Sequence, residues 1–246
     1  MSNQQATGKF DLEKEHVFDV YDKIAESFSE TRYKPWPKVK QFLDSLEDGC
    51  IVFDIGCGNG KYLNVNKNLL TIGSDTSIPL LEICRNKDAE VFKANCLCLP
   101  LRSNSGDACI CIAVIHHLSS ASRRIESIQE IVRVLKVGGK ALIYVWAFEQ
   151  KRNGKNSDYI KIGKSLTNVD EETNALLPVH CNRTEFKEQD VFVPFKSKKD
   201  SKSYFRYYHV FKEGELNELL TSVANITVLE IYYDNGNWCA IIQKIK

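Results

Sequence analysis

Three alternate glycines directly after an apolar run are the clearest chemical signal in this sequence. The segment VFDIGCGNGKYL places Asp54 just before Gly56, Gly58 and Gly60. A glycine-rich turn between a strand and a helix lets backbone N–H groups and the helix N-terminus approach a nucleotide-like ligand closely. Dinucleotide-binding loops instead read G-x-G-x-x-G and hold a pyrophosphate. Because the acid here would repel a pyrophosphate, the loop favours a cationic ligand such as S-adenosylmethionine.

A second acid, Asp75, follows the second predicted strand. A carboxylate at that place can accept hydrogen bonds from both hydroxyls of a ribose. Helix capping or a role in a turn is the alternative for both acids. After the third strand, where this fold usually contacts adenine, the Asn95 amide oxygen can accept a hydrogen bond from the adenine amino group. The predicted cofactor site is Asp54, Gly56, Cys57, Gly58, Asn59, Gly60, Tyr62, Asp75, Thr76, Asn95 and Ala113.

Hydrophobic periodicity predicts the elements that position these residues. Apolar side chains recur at three and four residues from Val17 to Phe28, which indicates an amphipathic helix, and KVKQFLDSL predicts a second, short helix. Five strand segments then alternate with helical segments, which is typical of a parallel sheet with helices on both faces. The fourth strand is predicted as ACICIAVI, and the helix after it is predicted to end at Gly138.

The end of the chain predicts a β-hairpin, in which NITVLEIYY and WCAIIQKI are joined by Asp234-Asn235-Gly236-Asn237. Five parallel strands closed by such a hairpin make a seven-stranded sheet. The predicted fold class is α/β, a Rossmann-like class I S-adenosylmethionine-dependent methyltransferase fold with a seven-stranded, mostly parallel sheet and a C-terminal β-hairpin.

We expect one methyltransferase domain, because 246 residues suffice for one sizeable α/β domain with an insertion. Its expected parts are an N-terminal helical segment (1–49), a cofactor-binding core (50–150), a polar insertion (151–203) and a C-terminal helix and hairpin (204–246). The insertion has little periodicity apart from DVFVPF. A structureless stretch of that length is usually functional or disordered.

Composition limits the class of protein and its location. A net charge of +1 excludes a globally basic nucleic-acid binder but permits a local basic face. The N-terminus has no signal-peptide core, and no apolar run approaches the roughly 20 residues of a membrane span, so we expect a cytoplasmic or also nuclear protein. The C-x-C pairs Cys96/Cys98 and Cys109/Cys111 lack zinc-knuckle spacing, which favours small buried side chains on strands over metal ligands.

Motifs along nearly the whole chain, from about Glu13 to Lys244, resemble one family. They are SETRYKPWP, DIGCGNGKYL, IAVIHH, GGKALIYVWAFEQ, LPVHCNRTEF, QDVFVPF, RYYHVFKEGEL and YYDNGNWCAIIQK. Together they are similar to the tRNA wobble-uridine methyltransferases, which form the methyl ester on 5-carboxymethyluridine in the anticodon. The resemblance is strongest to the methyltransferase domain of the animal AlkB-homologue tRNA methyltransferase.

This resemblance implies tRNA as the substrate and a small zinc-binding activator subunit as the partner in a heterodimer. The cysteine-rich segments CLCLPL and ACICIAVI are candidate contacts for that subunit, unless they are core strands. The animal protein also carries an RNA-recognition module and an oxygenase domain. We expect neither within these 246 residues, a layout that is similar to the fungal members.

A carboxylate acceptor simplifies the expected chemistry, because it is already ionised at neutral pH and needs no general base. Catalysis then depends chiefly on orientation at a distance of roughly 3–3.5 Å. Arginine presents a planar fork that matches a carboxylate, and AVIHH puts histidines at the carboxyl end of a strand, where such sheets bind ligands. The predicted catalytic residues are Arg32, Tyr33, His116, Arg206 and Tyr207.

Basic and aromatic side chains are predicted to contact the RNA, because phosphates attract cations and unpaired bases stack on aromatic rings. Core packing is the alternative for each aromatic residue, and a solvated surface is the alternative for each basic one. The predicted substrate-binding residues are Lys34, Arg123, Arg124, Trp146, Tyr208 and His209.

Two other functions stay open. A methyltransferase of small carboxylic acids explains the glycine loop equally well. It leaves unexplained the two basic and aromatic segments, TRYKPW and FRYYH, and the lysines of the insertion, Lys196, Lys198, Lys199 and Lys202. A catalytically silent relative that binds RNA or protein is the third interpretation. The presence of Asp54, Asp75, His116 and Arg32 argues against it.

Overall fold

Residues 11–161 and 176–246 are described in this computed structural model, and they form six α-helices and eleven strands. A π-helical turn, Lys14–Phe18, leads into the first α-helix. The helices are α1 (Asp19–Glu30), α2 (Pro37–Asp44), α3 (Ile78–Arg85), α4 (Ala121–Val134), α5 (Asp158–Lys161) and α6 (Glu215–Thr221). The strands are β1 (Ile51–Ile55), β2 (Leu70–Asp75), β3 (Glu90–Lys93), β4 (Gly106–Ile112), β5 (Leu135–Trp146), β6 (Lys151–Arg152), β7 (Lys155–Asn156), β8 (Asp190–Lys196), β9 (Ser203–His209), β10 (Ile226–Asp234) and β11 (Asn237–Lys244).

Seven strands form one sheet in the order β10-β11-β5-β4-β1-β2-β3. The first five strands are parallel, and β11 pairs antiparallel with both β5 and β10. Asn235 and Gly236 both have positive φ at the tight turn of the hairpin, which is the geometry that an Asn-Gly pair favours. The predicted fold class is confirmed, and β1, β2 and β4 end at one common edge of the sheet.

The two faces of the sheet pack against different helices. Alternate residues of β5 separate accordingly: Ile143 lies in the apolar cluster with α4 and α6, and Tyr144 lies in the cluster with α2. This period of two is what a strand buried on both faces requires. No helix in the described part of the chain is long and apolar enough to cross a bilayer.

Two predicted element boundaries are wrong. Helix α4 ends at Val134 and the chain enters β5 at once, so Gly138 lies inside that strand. Its φ of +84° occurs where the pairing of β4 with β5 shifts register, and such a bulge favours glycine. Strand β4 ends at Ile112, because Ala113 turns into the left-handed region with φ +62° and Ile115–His117 form a 3-10 turn.

The polar insertion is partly regular, contrary to the expectation of a structureless segment. Strands β6 and β7 form a short hairpin, and β8 pairs with β9 in a second two-stranded sheet. Phe192 of β8 is buried against Val17 and Tyr207. The segment DVFVPF, which stands apart from the rest of the insertion in sequence, is the start of β8. Residues 162–175 of the insertion lie outside the described residues.

The two C-x-C pairs have different surroundings. Cys109 and Cys111 are fully buried on one face of β4, as predicted. Cys96 and Cys98 lie in the turn after β3, where Cys96 is half-buried and Cys98 is exposed, so the prediction of a buried strand pair is wrong there. In the described ranges no group of three or more His, Cys, Asp or Glu side chains is placed to hold a metal ion.

Candidate active site

The glycine loop leaves β1 with three residues in the left-handed region. A Cβ atom on Gly56 would lie 2.3 Å from Cγ2 of Val114, so only glycine fits where the loop passes the end of β4. At Gly58, whose φ is +56°, the nearest atom to an added Cβ would be on Phe28, 3.8 Å away. The loop is thus tightly packed at its start and less crowded at its centre, where backbone N–H groups can face a ligand.

Two acids lie beside this loop. Asp75 accepts hydrogen bonds from the backbone N–H groups of Gly58 and Ser77, each at 2.9 Å. Asp54 is buried, and its Oδ2 atom has no hydrogen-bond partner within the described part of the chain. Burial raises the pKa of Asp54 to about 7, an effect that Lys61 opposes. A buried carboxylate oxygen without a partner fits the predicted cationic ligand, because such a group is costly unless it is paired.

Other predicted cofactor residues border the same edge of the sheet. Asn95 Oδ1 accepts a hydrogen bond from Leu97 N–H at 3.0 Å, so its amide oxygen is partly used in a turn. Ala113 holds a backbone conformation that is unfavourable for a residue with a Cβ. Thr76 lies between Asp75 and the N-cap of α3 and is half-buried. Their roles stay predictions.

Three other predicted cofactor residues have side chains that contact neighbouring helices and loops. Asn59 Nδ2 donates to Ser29 Oγ at 3.1 Å and to the carbonyl of Arg32 at 3.1 Å. Cys57 packs in an apolar cluster beneath α3, and Tyr62 packs in the cluster around α2. These side chains hold the loop against the helices, and the predicted cofactor contacts of the three residues stay predictions.

The guanidinium of Arg206 is buried without an acidic partner among the described residues. Its NH1 group donates to Tyr208 Oη at 2.9 Å, and its Nε atom has no partner there. Burial alone would lower the pKa of Arg206, but the phenols of Tyr208 and Tyr21 hold it above the ordinary value. The site therefore contains a charged arginine that lacks an anion.

His116 lies next to this arginine and is stacked on Tyr208, with ring centroids 4.8 Å apart. Its Nδ1 atom accepts a hydrogen bond from Trp146 N–H, so the proton is on Nε2, which has no partner in the described residues. Burial, and then the charges of His117 and Arg206, lower the pKa of His116 well below its ordinary value. A neutral imidazole with an unpaired N–H is a hydrogen-bond donor for an anion.

Arg32 approaches the same site from the loop after α1. It is half-buried above the Phe28 ring, at 5.3 Å from the centroid. Burial, followed by the charge of Arg206, lowers the pKa of Arg32. The Phe28 ring is 6.4 Å from the Phe195 ring, over which Arg206 lies at 5.2 Å, so the structure brings the two predicted clamp arginines close together. Trp146 closes one side, with its ring 4.8 Å from Tyr208 and 5.1 Å from Tyr159.

Sequence reasoning missed three neighbours of the site. Tyr21 donates to His117 Nε2 at 3.0 Å, but in the sequence it is only one apolar-face residue of α1. Lys61 is close to Asp54 and could have been noted within the GNGKYL segment. Tyr159 belongs to the insertion and carries no local signal. His117 is locked, because its Nδ1–H donates to the Tyr207 carbonyl.

Two predicted residues of β9 lie on its other face. Tyr207 donates to Asp190, and its ring is buried in an apolar cluster with Val17. His209 donates to Asp190 at 3.0 Å and to Glu215 at 2.6 Å. Although burial opposes its charge, these carboxylates raise the pKa of His209. A catalytic role for Tyr207 and an RNA contact for His209 are therefore wrong predictions, since β9 alternates its side chains.

The predicted basic face at the start of α4 is also wrong. Arg124 is buried, donates to the Leu118 carbonyl at 2.9 Å and lies above the Phe211 ring. Arg123 forms a two-bond ion pair with the buried Glu13, at 2.8 and 2.6 Å. Both guanidinium groups are therefore bonded within the protein and stabilise the fold. Tyr33 and Lys34 are exposed, and the predicted catalytic role of Tyr33 and the predicted RNA contact of Lys34 stay predictions.

Replacing Glu13 by glutamine should lower the free energy of unfolding by about 1–3 kcal/mol, because Arg123 loses its buried carboxylate partner. Glu13 also accepts two hydrogen bonds from Ser119. Urea unfolding measures the change. The matched control is Asp44→Asn, which breaks the exposed pair with Lys40 and should cost less than about 0.5 kcal/mol. Equal losses for the two variants would contradict a structural role for the Glu13 pair.

Comparisons with known proteins agree with this fold. Residues 53–143 match a family described as methyltransferase domain. The CcbJ methyltransferase of Streptomyces caelestis has a TM-score of 0.61 at 12% identity, covering 96% of this chain and 98% of that chain. A complex of the Haloferax volcanii Trm112 methyltransferase activator with a putative methyltransferase has a TM-score of 0.58 at 14% identity. The match covers 94% of this chain and 99% of that chain. At these identities the likeness shows the fold alone, which is that of the class I methyltransferases.

Curated relatives narrow the class further. A tRNA (carboxymethyluridine(34)-5-O)-methyltransferase of Schizosaccharomyces pombe is 43% identical over 96% of this chain and 99% of that protein. The chain belongs to the tRNA (carboxymethyluridine(34)-5-O)-methyltransferase family. The Xenopus tropicalis relative of the same name is 46% identical over 97% of this chain but only 42% of that protein. The chain spans less than half the length of its vertebrate relatives.

Proposed function

We propose that this chain transfers a methyl group from S-adenosylmethionine to the carboxylate of 5-carboxymethyluridine at the wobble position of tRNA, giving the methyl ester. The observation that carries the proposal is the buried, charged Arg206 without an acidic partner among the described residues, with the unpaired Nε2–H of His116 beside it. Two buried donors without an anion, near the glycine loop, suit a carboxylate substrate. The names of the fission yeast and vertebrate relatives support the same acceptor.

The cofactor would be held by the glycine loop and the two acids. Asp54 offers a buried carboxylate to its positive charge, and Asp75 lies where a ribose is bound in such sheets. When bound, S-adenosylmethionine supplies an electrophilic sulfonium methyl group. Asp75 also fixes the loop, because its Oδ2 atom accepts the Gly58 N–H.

The acceptor needs orientation rather than proton removal. Arg206 and His116 would donate hydrogen bonds to the carboxylate, which is ionised at neutral pH. His116 cannot act as an efficient base here, because its pKa is low and its Nδ1 lone pair already accepts from Trp146 N–H. The rings of Tyr208 and Trp146 exclude water from the donors and so strengthen them.

We also propose an activator subunit as a partner, in contact with the edge of the sheet at β3. The ACICIAVI segment is fully buried from Ala108 to Cys111, so the expectation that it contacts a partner is wrong. CLCLPL fits better, because Cys98 is exposed and β3 pairs only with β2 in the described sheet. An edge strand with free N–H and C=O groups invites another chain. The structural relative in complex with Trm112 supports the idea.

The proposal predicts that the purified chain, with its activator, methylates tRNA from cells that lack the wobble ester. Mass spectrometry of the digested nucleosides should show loss of 5-carboxymethyluridine and a matching gain of its methyl ester. The control substrate is free 5-carboxymethyluridine, which should react far more slowly because it lacks phosphates. Equal rates on both substrates would favour the alternative of a methyltransferase that acts on small carboxylic acids. Binding of the cofactor without methyl transfer to either substrate would favour the alternative of a catalytically silent relative.

A further inference from the structure

A basic cleft of about 510 Å³ opens on the surface beside the glycine loop. Asn59 and Gly60 of that loop line it, together with Tyr33. Its lining contains four cations and, among the described residues, no acid. The cations are Arg32, Lys40, Lys61 and Lys87.

The two lysines nearest the loop lack acidic partners at ion-pair distance in the described structure. Lys61 Nζ lies over the rings of Trp36 and Tyr62, each at 4.6 Å, and Lys87 Nζ donates to the Asn59 carbonyl at 2.9 Å. Burial, followed by the charge of Arg32, lowers the pKa of Lys61 to about 8. The cleft therefore concentrates positive charge that an anion would stabilise.

Lys40 has an acidic neighbour, Asp44, one helical turn away on α2. Both side chains are about half exposed, and such pairs contribute little and are screened by salt. Lys40 can therefore still attract a phosphate at the rim. With Arg123 and Arg124 committed to the fold, this cleft offers the basic surface that the start of α4 does not.

Arg32 links the cleft to the acceptor site. It lines the cleft and lies over the Phe28 ring. The Phe28 ring is 6.4 Å from the Phe195 ring, and Arg206 lies 5.2 Å from the centroid of that second ring. Tyr33, the next residue, is 70% exposed at the cleft and can stack an unpaired base. Cations that follow a backbone beside an exposed aromatic ring are characteristic of single-stranded nucleic-acid grooves.

We propose that this cleft binds the sugar-phosphate backbone of the nucleotides that flank the wobble position. The inference rests on the proposed function, because it needs an RNA whose wobble base enters the acceptor site. Direct contact of Lys40 and Lys87 with phosphates sets the affinity for tRNA, whereas Arg206 and His116 act on the carboxylate. The carboxylate of the cofactor is the competing anion, and the experiment below separates the two.

The test compares Lys40→Gln/Lys87→Gln with a control pair, Lys140→Gln/Lys246→Gln, which removes the same number of charges. The control lysines are exposed and lie at the other end of β5 and β11 from Trp146. Kinetics and fluorescence anisotropy with tRNA, and calorimetry with S-adenosylmethionine, are measured with the activator present at 50–200 mM salt. We expect the cleft variant to raise KM and Kd for tRNA roughly tenfold at low salt. A plot of the logarithm of the tRNA association constant against the logarithm of the salt concentration should become less steep by about 1.4. This is the change expected when two contacts with single-strand phosphates are lost.

The kcat and the Kd for S-adenosylmethionine should stay within about twofold, and the control pair should match the wild type. An unchanged salt slope and tRNA Kd would overturn the proposal while leaving the methyl transfer intact. A weaker Kd for the cofactor with unchanged tRNA binding would also overturn it and assign the cleft to the cofactor. If the wild type bound tRNA through the cleft but transferred no methyl, the proposed function would fail and the cleft would stand.

Discussion

Replacing Asp54 by asparagine is expected to weaken binding of S-adenosylmethionine by about 30-fold or more. Removing one partner of a buried charge pair costs about 2–5 kcal/mol, and each 1.4 kcal/mol is a factor of ten. Asparagine keeps the shape of the side chain, so the loss reports on charge. The substitution should not destabilise the apo protein, because the buried Oδ2 atom has no hydrogen-bond partner in the described structure. Calorimetry gives the affinity.

The pH dependence of this binding gives a second readout. Burial raises the pKa of Asp54 to about 7, and a cation favours the ionised carboxylate. Affinity should therefore rise up to tenfold per pH unit below about pH 7 and level off above it. The stability of the apo protein should change with pH in the opposite direction. Because the pKa of Asp54 is higher in the folded state than in the unfolded state, its contribution to the free energy of unfolding is lost as pH rises towards about 7.

In Asp54→Asn, both the affinity for the cofactor and the stability of the apo protein should depend less on pH. The control is Asp44→Asn, an exposed acid on α2. A pH profile of cofactor binding that is the same in wild type and Asp54→Asn would show that this carboxylate does not meet the sulfonium donor.

Replacing Arg206 by methionine should lower kcat/KM for tRNA by about 100-fold or more and leave cofactor binding intact. The loss follows from removing a buried donor to the acceptor carboxylate. Stability should change by no more than about 1–2 kcal/mol, because an apolar side chain of similar size removes an unpaired buried charge while Tyr208 loses one hydrogen bond. Single-turnover transfer to tRNA and thermal unfolding measure the two effects.

Arg124→Met is the matched control, since Arg124 is buried to the same degree but lies away from the site. It should lose stability and keep kcat. Arg206→Lys should retain part of the activity, because it keeps the charge but not the planar fork. Full activity in a stably folded Arg206→Met protein would rule out the anion site, and the lysine variant decides the matter if the methionine variant does not fold.

The sequence alone determined the features that depend on neighbours in the chain. The alternation of strands and helices, the Asn-Gly hairpin and the glycine loop between Asp54 and Gly60 are local patterns, and the structure has each of them. Backbone geometry explains this success. A strand period of two, a positive φ and a tight turn are satisfied by residues that are close in sequence.

Only the tertiary structure decided which candidate side chains face the site. In β9, Arg206 and Tyr208 face His116, while Tyr207 and His209 face Asp190, because alternate residues of a strand point to opposite sides. The sequence RYYH alone does not show which face of the strand points towards the site. Likewise, Arg123 is neutralised by Glu13, which is far away in the chain. Burial and pairing across such distances depend on how the elements pack, and no local pattern of residues encodes that packing.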